Sequence, residues 1–282
     1  MGPGEASGAI VLAATPLGHD GDASDRLRTL LSSADVVAAE DTRRLRGLAA
    51  RLGVRIGGRV VSYYDANEAA RAVELVARAQ AGATILVVSD AGMPGISDPG
   101  YRLVRAARAA GVPVTCAPGP SALLAALALS GLPTDRFAFE GFWPRRASDR
   151  ALRLRLLATE PRTMAFFESP RRLASTLAEM AEGWGVDREA CVARELTKVH
   201  EEVVCGTLGE LVEWAAQREV LGEVTLVVAG APAPTWEDSA DSLVAEVLSR
   251  VNAGERLSEA AAQVARQSGA PRRALYELAR NA

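Results

Sequence analysis

The chain has 282 residues, of which 49% are hydrophobic and 24% charged, and its formal net charge is −3. This length suits two globular domains, with or without a small appendage, and allows substantial cores. No apolar run approaches the ~20 residues of a membrane span, and the small negative charge does not by itself indicate a nucleic-acid-binding protein.

Strands and helices alternate over residues 8–121, which we expect to form the first domain. The opening MGPGEASG has neither the basic nor the apolar region of a secretory signal. Loops rich in glycine, proline or charge follow four of the strands, and the first loop, TPLG at 15–18, lacks the GxGxxG pattern of a dinucleotide-binding fold. Helices between the strands predict a mainly parallel sheet. The predicted strands are residues 9–14, 36–39, 59–63, 84–89 and 113–116.

The most informative stretch is residues 84–102, TILVVSDAGMPGISDPGYR. Its first part predicts a strand buried on both faces, and three glycines and two prolines follow within nine residues. A strand that ends in such a loop exposes backbone N–H groups at the carboxyl edge of a sheet, where open α/β folds bind ligands. An ordinary turn needs only one or two such residues, so we expect a ligand-binding loop.

A second α/β domain is expected over residues 122–230. Two of its strands flank a charged loop at 195–201, and their closeness in sequence predicts a mixed sheet. Glu168 precedes a predicted helix at 172–182, and it fits a helix cap and a site residue equally well. The predicted strands are residues 136–142, 163–168, 190–194, 202–206 and 224–229.

The last part of the chain, residues 236–282, predicts helices only. Residues 231–235, APAPT, have the composition of a linker. Helices are predicted at 237–252, 258–268 and 271–279, and the last two have the spacing of a helix-turn-helix. A docked helical hairpin and a nucleic-acid reader fit this pattern about equally.

Cysteine and histidine usage argues against disulfides and metal sites. The three cysteines, Cys116, Cys191 and Cys205, are odd in number and show no C-x-x-C spacing. We therefore expect unpaired core residues in a reducing cytoplasm. The two histidines, His19 and His200, lie far apart and outside any metal motif, so no metal is expected.

The basic residues are uneven in type and in distribution. Lys198 is the only lysine, beside 31 arginines. Because a buried lysine can lose its proton and an arginine cannot, Lys198 is a candidate for chemistry. The arginine-rich stretches 43–55 and 145–155 fit phosphate binding and solvated helix faces about equally.

Nine motifs, taken in chain order, are far more specific together than any one alone. They are ATPLG (14–18), AAEDTRR (38–44), SYYDANE (62–68), VSDAGMPGISDPG (88–100), APGPSA (117–122), SGLPTDRFAFEGFWPR (130–145), FFESPRRL (166–173), RELTKVHEE (194–202) and GEVTLVV (222–228). Over about residues 9–230 the chain closely resembles the ribosomal-RNA-methylating branch of the tetrapyrrole methylase superfamily. The helical tail resembles the small C-terminal helix-turn-helix of the same family.

This resemblance implies a two-domain α/β fold, usually in a homodimer, with S-adenosylmethionine in the cleft between the domains. It implies methyl transfer to the ribose 2′-oxygen of a cytidine in the decoding region of 16S rRNA, in the cytoplasmic small ribosomal subunit. By similarity, the cofactor-binding residues are Pro16, Asp90, Gly92, Met93, Gly95, Ser97, Ser121, Ala122, Phe167, Leu196, Val224 and Thr225.

Such a reaction requires a base for the 2′-hydroxyl proton and cations for the RNA backbone. The family commonly has histidine where this chain has Tyr64 and Arg171, which leaves carboxylates and Lys198 as candidate bases. A surface ion pair is the competing interpretation of Glu195 and Lys198. The catalytic candidates are Glu40, Asp41, Glu195 and Lys198, and the RNA-binding candidates are Arg43, Arg44, Arg46, Arg145, Arg146 and Arg171.

Two other functions stay open at this point. One is a methylase of the same superfamily that acts on a tetrapyrrole or on a protein. The other is a non-catalytic RNA-binding assembly factor. The arginine-rich stretches and the C-terminal helices argue against a small-molecule substrate, and the intact acid and lysine positions argue against the assembly factor.

Overall fold

A computed structural model of the chain describes residues 8–232, 236 and 239–282. It contains two compact units, which divide after Gly230. The first unit holds two five-stranded sheets, and helices make up the second. Residues 233–235 of the predicted linker, the first two residues of the helix predicted at 237–252, and most of the opening MGPGEASG lie outside the described residues.

The first sheet consists of β1 (Ile10–Ala13), β2 (Val36–Ala39), β3 (Arg59–Ser62), β4 (Ile85–Val88) and β5 (Val114–Ala117). Its order is β3-β2-β4-β1-β5, and every pairing is parallel, as predicted. All residues of β1, β2 and β4 are buried. The helices are α1 (Asp25–Ser33), α2 (Thr42–Arg51), α3 (Glu68–Gln80) and α4 (Tyr101–Ala109).

Helices cover both faces of this sheet, which explains its continuous apolar strands. Ile10 of β1 belongs to a core that includes Leu75 of α3. The next residue, Val11, belongs to a separate core that includes Leu27 of α1. Because the strands are parallel, the loops after β1, β2 and β4 emerge at the same carboxyl edge.

The second sheet consists of β6 (Phe137–Phe142), β7 (Thr163–Glu168), β8 (Glu189–Arg194), β9 (Glu202–Thr207) and β10 (Val224–Val228). Its order is β6-β7-β10-β8-β9. Only the β6 and β7 pairing is parallel, which confirms the predicted mixed sheet. The helices of this part are α5 (Ala122–Leu129), α6 (Ala147–Leu157), α7 (Pro170–Trp184) and α8 (Leu208–Ala216).

The second unit contains α9 (Ala240–Asn252), α10 (Leu257–Ser268) and α11 (Arg272–Asn281). Their shared core includes Val247, Ala261 and Leu275. Gly269 ends α10 in the left-handed conformation, with φ 76°. This short turn gives α10 and α11 the predicted helix-turn-helix arrangement.

The prediction of three unpaired core cysteines is wrong. Cys191 in β8 and Cys205 in β9 lie opposite each other in the antiparallel ladder, with 4.0 Å between their Cα atoms, and form a disulfide. Cys116 is exposed on β5, which is an edge strand of the first sheet. Both facts depend on strand order and register, which the spacing of cysteines along the chain does not reveal.

The arginine-rich stretch at 145–155 is mostly helix α6, whose position the sequence did not predict. The division between residues 121 and 122 stays a prediction, because residues up to Gly230 form a single compact unit. Within the described ranges, no helix is both long and apolar enough to cross a membrane.

Candidate functional site

The loop between β4 and α4 has unusual backbone conformations. Gly92, Gly95 and Gly100 have φ angles of 78°, 87° and 151°, and Ser97 adopts 61°. A Cβ atom on Gly100 would lie 3.1 Å from the Cα atom of Gly95, so the loop folds closely onto its own backbone. The glycines therefore occupy positions that other residues rarely adopt.

A short bridge joins this loop to the loop after β1. Thr15 and Gly92 exchange two backbone hydrogen bonds, of 2.9 and 3.0 Å. The Thr15 hydroxyl also donates to the Ser89 carbonyl oxygen at 3.2 Å. The two loops thus form one connected rim at the carboxyl edge of the first sheet.

A cavity of about 450 Å³, hereafter the cleft, lies between this rim and the second sheet. Nine of the residues predicted to bind the cofactor line it; Pro16 lines a neighbouring cavity, and Gly95 and Leu196 line neither. Ile96 and Phe142, which sequence reasoning missed, add apolar wall. The nine residues are Asp90, Gly92, Met93, Ser97, Ser121, Ala122, Phe167, Val224 and Thr225.

Carboxylates form one wall of the cleft: Glu40 after β2, Asp90 after β4, and Asp98 in the glycine-rich loop. Burial raises the pKa of Glu40, although a hydrogen bond from the Asp90 N–H opposes the shift. Burial also raises the pKa of Asp98 to about 7, and repulsion from Glu40 adds to the shift. Glu40 and Asp98 therefore hold protons more tightly than usual. Among the described residues, no group of three His, Cys, Asp or Glu side chains is placed to hold a metal ion.

Asp41, a predicted catalytic candidate, is the N-cap of α2. Its carboxylate accepts the backbone N–H groups of Arg43 and Arg44, at 2.7 and 3.3 Å. These hydrogen bonds lower the pKa of Asp41. Its own N–H donates to Asp90 at 3.0 Å. The two contacts of the carboxylate are those of a capping residue, which stabilises the start of the helix.

The predicted pair Glu195 and Lys198 lies in the loop between β8 and β9. Lys198 Nζ contacts Glu195 Oε1 at 2.8 Å and Glu223 Oε2 at 3.1 Å. Burial disfavours the charged forms of both Lys198 and Glu195. The neighbouring carboxylates outweigh the effect of burial on Lys198, so the pKa of Lys198 is raised. The hydrogen bond from Lys198 helps to lower the pKa of Glu195. Lys198 therefore stays protonated, as in the ion-pair interpretation.

The same loop contacts the loop after β1 beside the cleft, where Gly18 and Lys198 line the neighbouring cavity. A Cβ atom on Gly18 would lie 2.2 Å from Lys198 Cγ, so the lysine stem packs directly on the Gly18 backbone. The His19 N–H donates to Thr197 Oγ1 at 3.2 Å. The loop carrying Lys198 thereby connects the second sheet to the rim of the first.

The arginines predicted to bind RNA are all exposed, and one of them lines the cleft. Arg44 contacts Asp90 through Nη1 and Oδ2, 3.2 Å apart. The other five line neither the cleft nor the neighbouring cavity. The six are Arg43, Arg44, Arg46, Arg145, Arg146 and Arg171.

Glu168 lines the cleft and also holds the start of α7. Its carboxylate accepts from the Ser169 N–H at 2.5 Å and from the Thr176 hydroxyl at 2.6 Å, and it contacts Arg172 at 2.5 Å. These contacts fix the start of α7, but none of them is a side-chain cap bond to an N–H of the helix, and the same residue lines the cleft. Both interpretations of Glu168 therefore stay predictions.

Sequence reasoning also missed Asp98 as a site residue, although its signal was visible. Asp98 is a second acid in the loop that Asp90 begins, and the loop itself was predicted to bind a ligand. Glu223 gave no comparable signal, because its contact with Lys198 depends on the approach of the β8 to β9 loop to the start of β10.

Comparison with known proteins identifies the family. Residues 9–212 match the model of the Tetrapyrrole (Corrin/Porphyrin) Methylases, and residues 237–280 match that of the RsmI C-terminal HTH domain. Ribosomal RNA small subunit methyltransferase I of Mycobacterium tuberculosis (strain ATCC 25618 / H37Rv) is 57% identical over 272 residues, which cover 96% of this chain and 94% of that protein. The chain belongs to the ribosomal RNA small subunit methyltransferase I family. A Xylella fastidiosa member is 44% identical and covers 95% of this chain and 98% of its own length.

Solved structures share the fold of this methyltransferase I family at lower identity. CobJ, described as a methyltransferase, is 22% identical with a TM-score of 0.60 and covers 81% of this chain and 97% of its own. A Thermus thermophilus uroporphyrin-III C-methyl transferase, complexed with S-adenyl homocysteine, is 21% identical with a TM-score of 0.54 and covers 79% of this chain and 97% of its own. The expected tetrapyrrole methylase fold is confirmed.

Proposed function

We propose that this chain transfers a methyl group from S-adenosylmethionine to the 2′-oxygen of a cytidine ribose in the decoding region of 16S rRNA. The observation that carries the proposal is the carboxylate-lined cleft between the two sheets, in a chain 57% identical to a ribosomal RNA small subunit methyltransferase I. The family name of the relatives supports the rRNA substrate. The 2′-oxygen and the cytidine follow from the motif resemblance.

The residues of the cleft fit the cofactor. S-adenosylmethionine carries a sulfonium and an ammonium group, which the Glu40, Asp90 and Asp98 wall would attract. Met93 and Phe167 offer apolar surface for its adenosine. A volume of about 450 Å³ lies within the usual range of small-molecule sites. The Thermus thermophilus structure with S-adenyl homocysteine adds support at the level of the fold.

The cofactor supplies a methyl group that its sulfonium already activates. The chain must therefore align the acceptor hydroxyl, exclude water and accept a proton. The ribose 2′-oxygen forms a bond to the methyl carbon as the sulfur–carbon bond breaks, and the 2′-hydroxyl proton passes to a carboxylate. Glu40 and Asp98 are suited to this step, because their raised pKa values bring them closer to the working pH.

The other predicted catalytic residues receive different proposed roles. Asp41 caps α2, and its lowered pKa makes it a poor proton acceptor. Lys198 stays protonated beside Glu195 and Glu223, so it acts as a cation. Of the four sequence candidates, we retain Glu40 as a base and add Asp98.

RNA binding is assigned to the exposed arginines. Arginine suits this role because its guanidinium binds phosphate oxygens in a bidentate manner. The six candidates lie on α2, directly before α6 and at the start of α7. Because the proposed substrate is ribosomal, we also propose a cytoplasmic location.

The chain is further proposed to act as a homodimer. Helix α5, with the all-apolar sequence ALLAALAL, leaves Leu124 and Leu129 about half exposed, at 55% and 50%. Such a surface fits contact with a second copy. Light scattering after size exclusion should give twice the mass of the chain, and Leu124→Glu should shift this to the monomer mass.

Transfer of labelled methyl from S-adenosylmethionine tests the enzymatic proposal. Small ribosomal subunits lacking their own modification and naked 16S rRNA serve as acceptors, and the labelled nucleotide is mapped. Label on one cytidine ribose in the decoding region is expected. Cofactor binding without label on either RNA would contradict the proposal and favour a tetrapyrrole or protein acceptor, or a non-catalytic assembly factor.

A further inference from the structure

A second cavity, of about 300 Å³, adjoins the cleft on the side of α2. Leu17, Arg44, Asp90, Ala91 and Glu223 belong to the walls of both cavities. We propose that this second cavity is the subsite that holds the acceptor ribose and its adjoining phosphate. The inference rests on the function proposed above and specifies where the RNA enters the site.

Three cations line the second cavity, from a helix beside the first sheet and from a loop of the second sheet. Arg44 and Arg51 come from α2, and Lys198 comes from the loop between β8 and β9. Arg51 uses Nε to bind the Asp20 carboxylate, with N–O distances of 2.9 and 3.1 Å. Arg44 contacts Asp90 through Nη1. Each guanidinium therefore retains N–H groups that can bind a phosphate oxygen.

The two cavities differ in charge, and this difference favours the cofactor in the cleft and the RNA phosphodiester in the second cavity. In the second cavity, Asp20, Asp90 and Glu223 each pair with a cation of the same wall. The cleft also contains Glu40 and Asp98, which have no such cation partner among its lining residues. A phosphodiester is repelled by the carboxylates of the cleft and finds guanidinium and ammonium groups in the second cavity.

The shared wall places the two substrates side by side. Asp90 and Ala91 separate the cavities at the start of the glycine-rich loop. A ribose in the second cavity therefore faces the cleft and the carboxylates of Glu40 and Asp98. The phosphate of the same nucleotide faces Arg51 and Lys198, on the opposite side of the cavity. This arrangement is the one that a 2′-hydroxyl acceptor requires.

One wall of the second cavity can be altered without backbone strain. Gly47 lies in the middle of α2 and lines the cavity. A Cβ atom on Gly47 would meet only Arg51 Nη1, at 3.7 Å, which is ordinary contact. A larger residue there fills the cavity, and replacing a helical glycine also favours the helix.

Two variants of the full chain test the subsite. Arg51→Gln removes a cation that pairs with Asp20, and the two side chains are 58% and 37% exposed, so folding should be retained. Gly47→Leu reduces the volume. For both we expect the KM for small subunits to rise about tenfold, while the Kd for S-adenosylhomocysteine, measured by calorimetry, changes less than twofold. Arg51→Gln should also reduce the slope of log affinity against log salt by about one.

Arg108→Gln is the matched control, because Arg108 is an exposed arginine on α4 and lines neither cavity. Its KM and salt slope should equal those of the wild type. Unchanged KM and slope in both variants, or a loss of S-adenosylhomocysteine affinity equal to the loss for RNA, would overturn the subsite. Absence of methyl transfer by the wild-type chain would instead contradict the proposed function, so the two failures are distinguishable.

Discussion

At the scale of single residues, the protonation of Asp98 sets the expected pH dependence of methyl transfer. Burial and the Glu40 carboxylate raise the pKa of Asp98 to about 7. A base must be ionised to accept a proton, so the rate should rise with pH through about 7. Asp98→Asn should lower kcat at least ~100-fold and abolish this rise. The measurement is a profile of kcat against pH from 5.5 to 9.

Asp65→Asn is the control for the Asp98 variant. Asp65 is exposed and contributes to the raised pKa of Asp98. Its removal should move the rise of kcat to lower pH and leave the plateau unchanged.

The stability of the folded chain gives a second readout of the Asp98 pKa. The folded chain binds the Asp98 proton more tightly than the unfolded chain, so Asp98 reduces the free energy of unfolding as pH rises through about 7. Asp98→Asn should therefore melt higher than the wild type at pH 8, and equal melting with a retained pH rise would argue against this role.

Lys198 shows how far residue-level sequence reasoning could go. Its rarity beside 31 arginines drew attention to a loop that lines the second cavity. Its protonation state could not be predicted, because the carboxylate of Glu223, 25 residues away, reaches Lys198 only in the folded chain. The protonation state of a titratable group in a cleft depends on neighbouring residues that only the tertiary structure brings close.

At the scale of elements, Glu68 connects α3 to the glycine-rich loop. This buried carboxylate accepts the Tyr63 hydroxyl and the Gly100 N–H, both at 2.9 Å, and the Arg102 N–H at 3.2 Å. Hydrogen bonds to a charged group contribute about 1.5–3 kcal/mol each. Glu68→Gln should therefore lower the free energy of unfolding by about 2 kcal/mol and weaken S-adenosylhomocysteine binding. Urea denaturation and calorimetry measure the two effects.

Glu74→Gln provides the comparison on the same helix. Glu74 forms surface pairs with Arg71 and Arg78, and such pairs contribute about 0–1 kcal/mol. Its loss should leave cofactor binding unchanged. If both variants had the same stability and affinity, Glu68 would not be an anchor of the loop.

Strand-level patterns predicted much of the fold. Apolar and β-branched runs predicted all ten strands within two residues of their ends, and the intervening helices predicted a parallel first sheet. The pairing of Cys191 with Cys205 was not predictable, because it depends on the register of β8 and β9. Similarly, the nine predicted cofactor residues that line the cleft came from motifs, whereas Phe142 faces it only because the second sheet packs opposite the rim.

At the scale of the whole molecule, neither unit carries a net positive charge. Both cavities are lined by residues before Gly230. Residues 231–282 contain six arginines and seven carboxylates, and the rest of the chain contains 26 lysines and arginines and 28 carboxylates. Arg250 and Arg273 are further paired with Glu246 and Glu277. Phosphate binding is therefore expected from the local arginine-rich stretches of the first unit, residues 43–55 and 145–155, and not from the net charge of either unit.

A chain that ends at Gly230 tests this division of roles. It should bind S-adenosylhomocysteine with a Kd within twofold of the full chain, because no lining residue is lost. Its affinity for small subunits should fall only by the loss of contacts that are not ion pairs. The slope of log affinity against log salt should therefore change by less than one. Binding of both chains to subunits from 50 to 200 mM salt is the measurement. A slope reduced by two or more would show that α10 and α11 bind phosphates directly, and would move the main RNA-binding surface to the C-terminal unit.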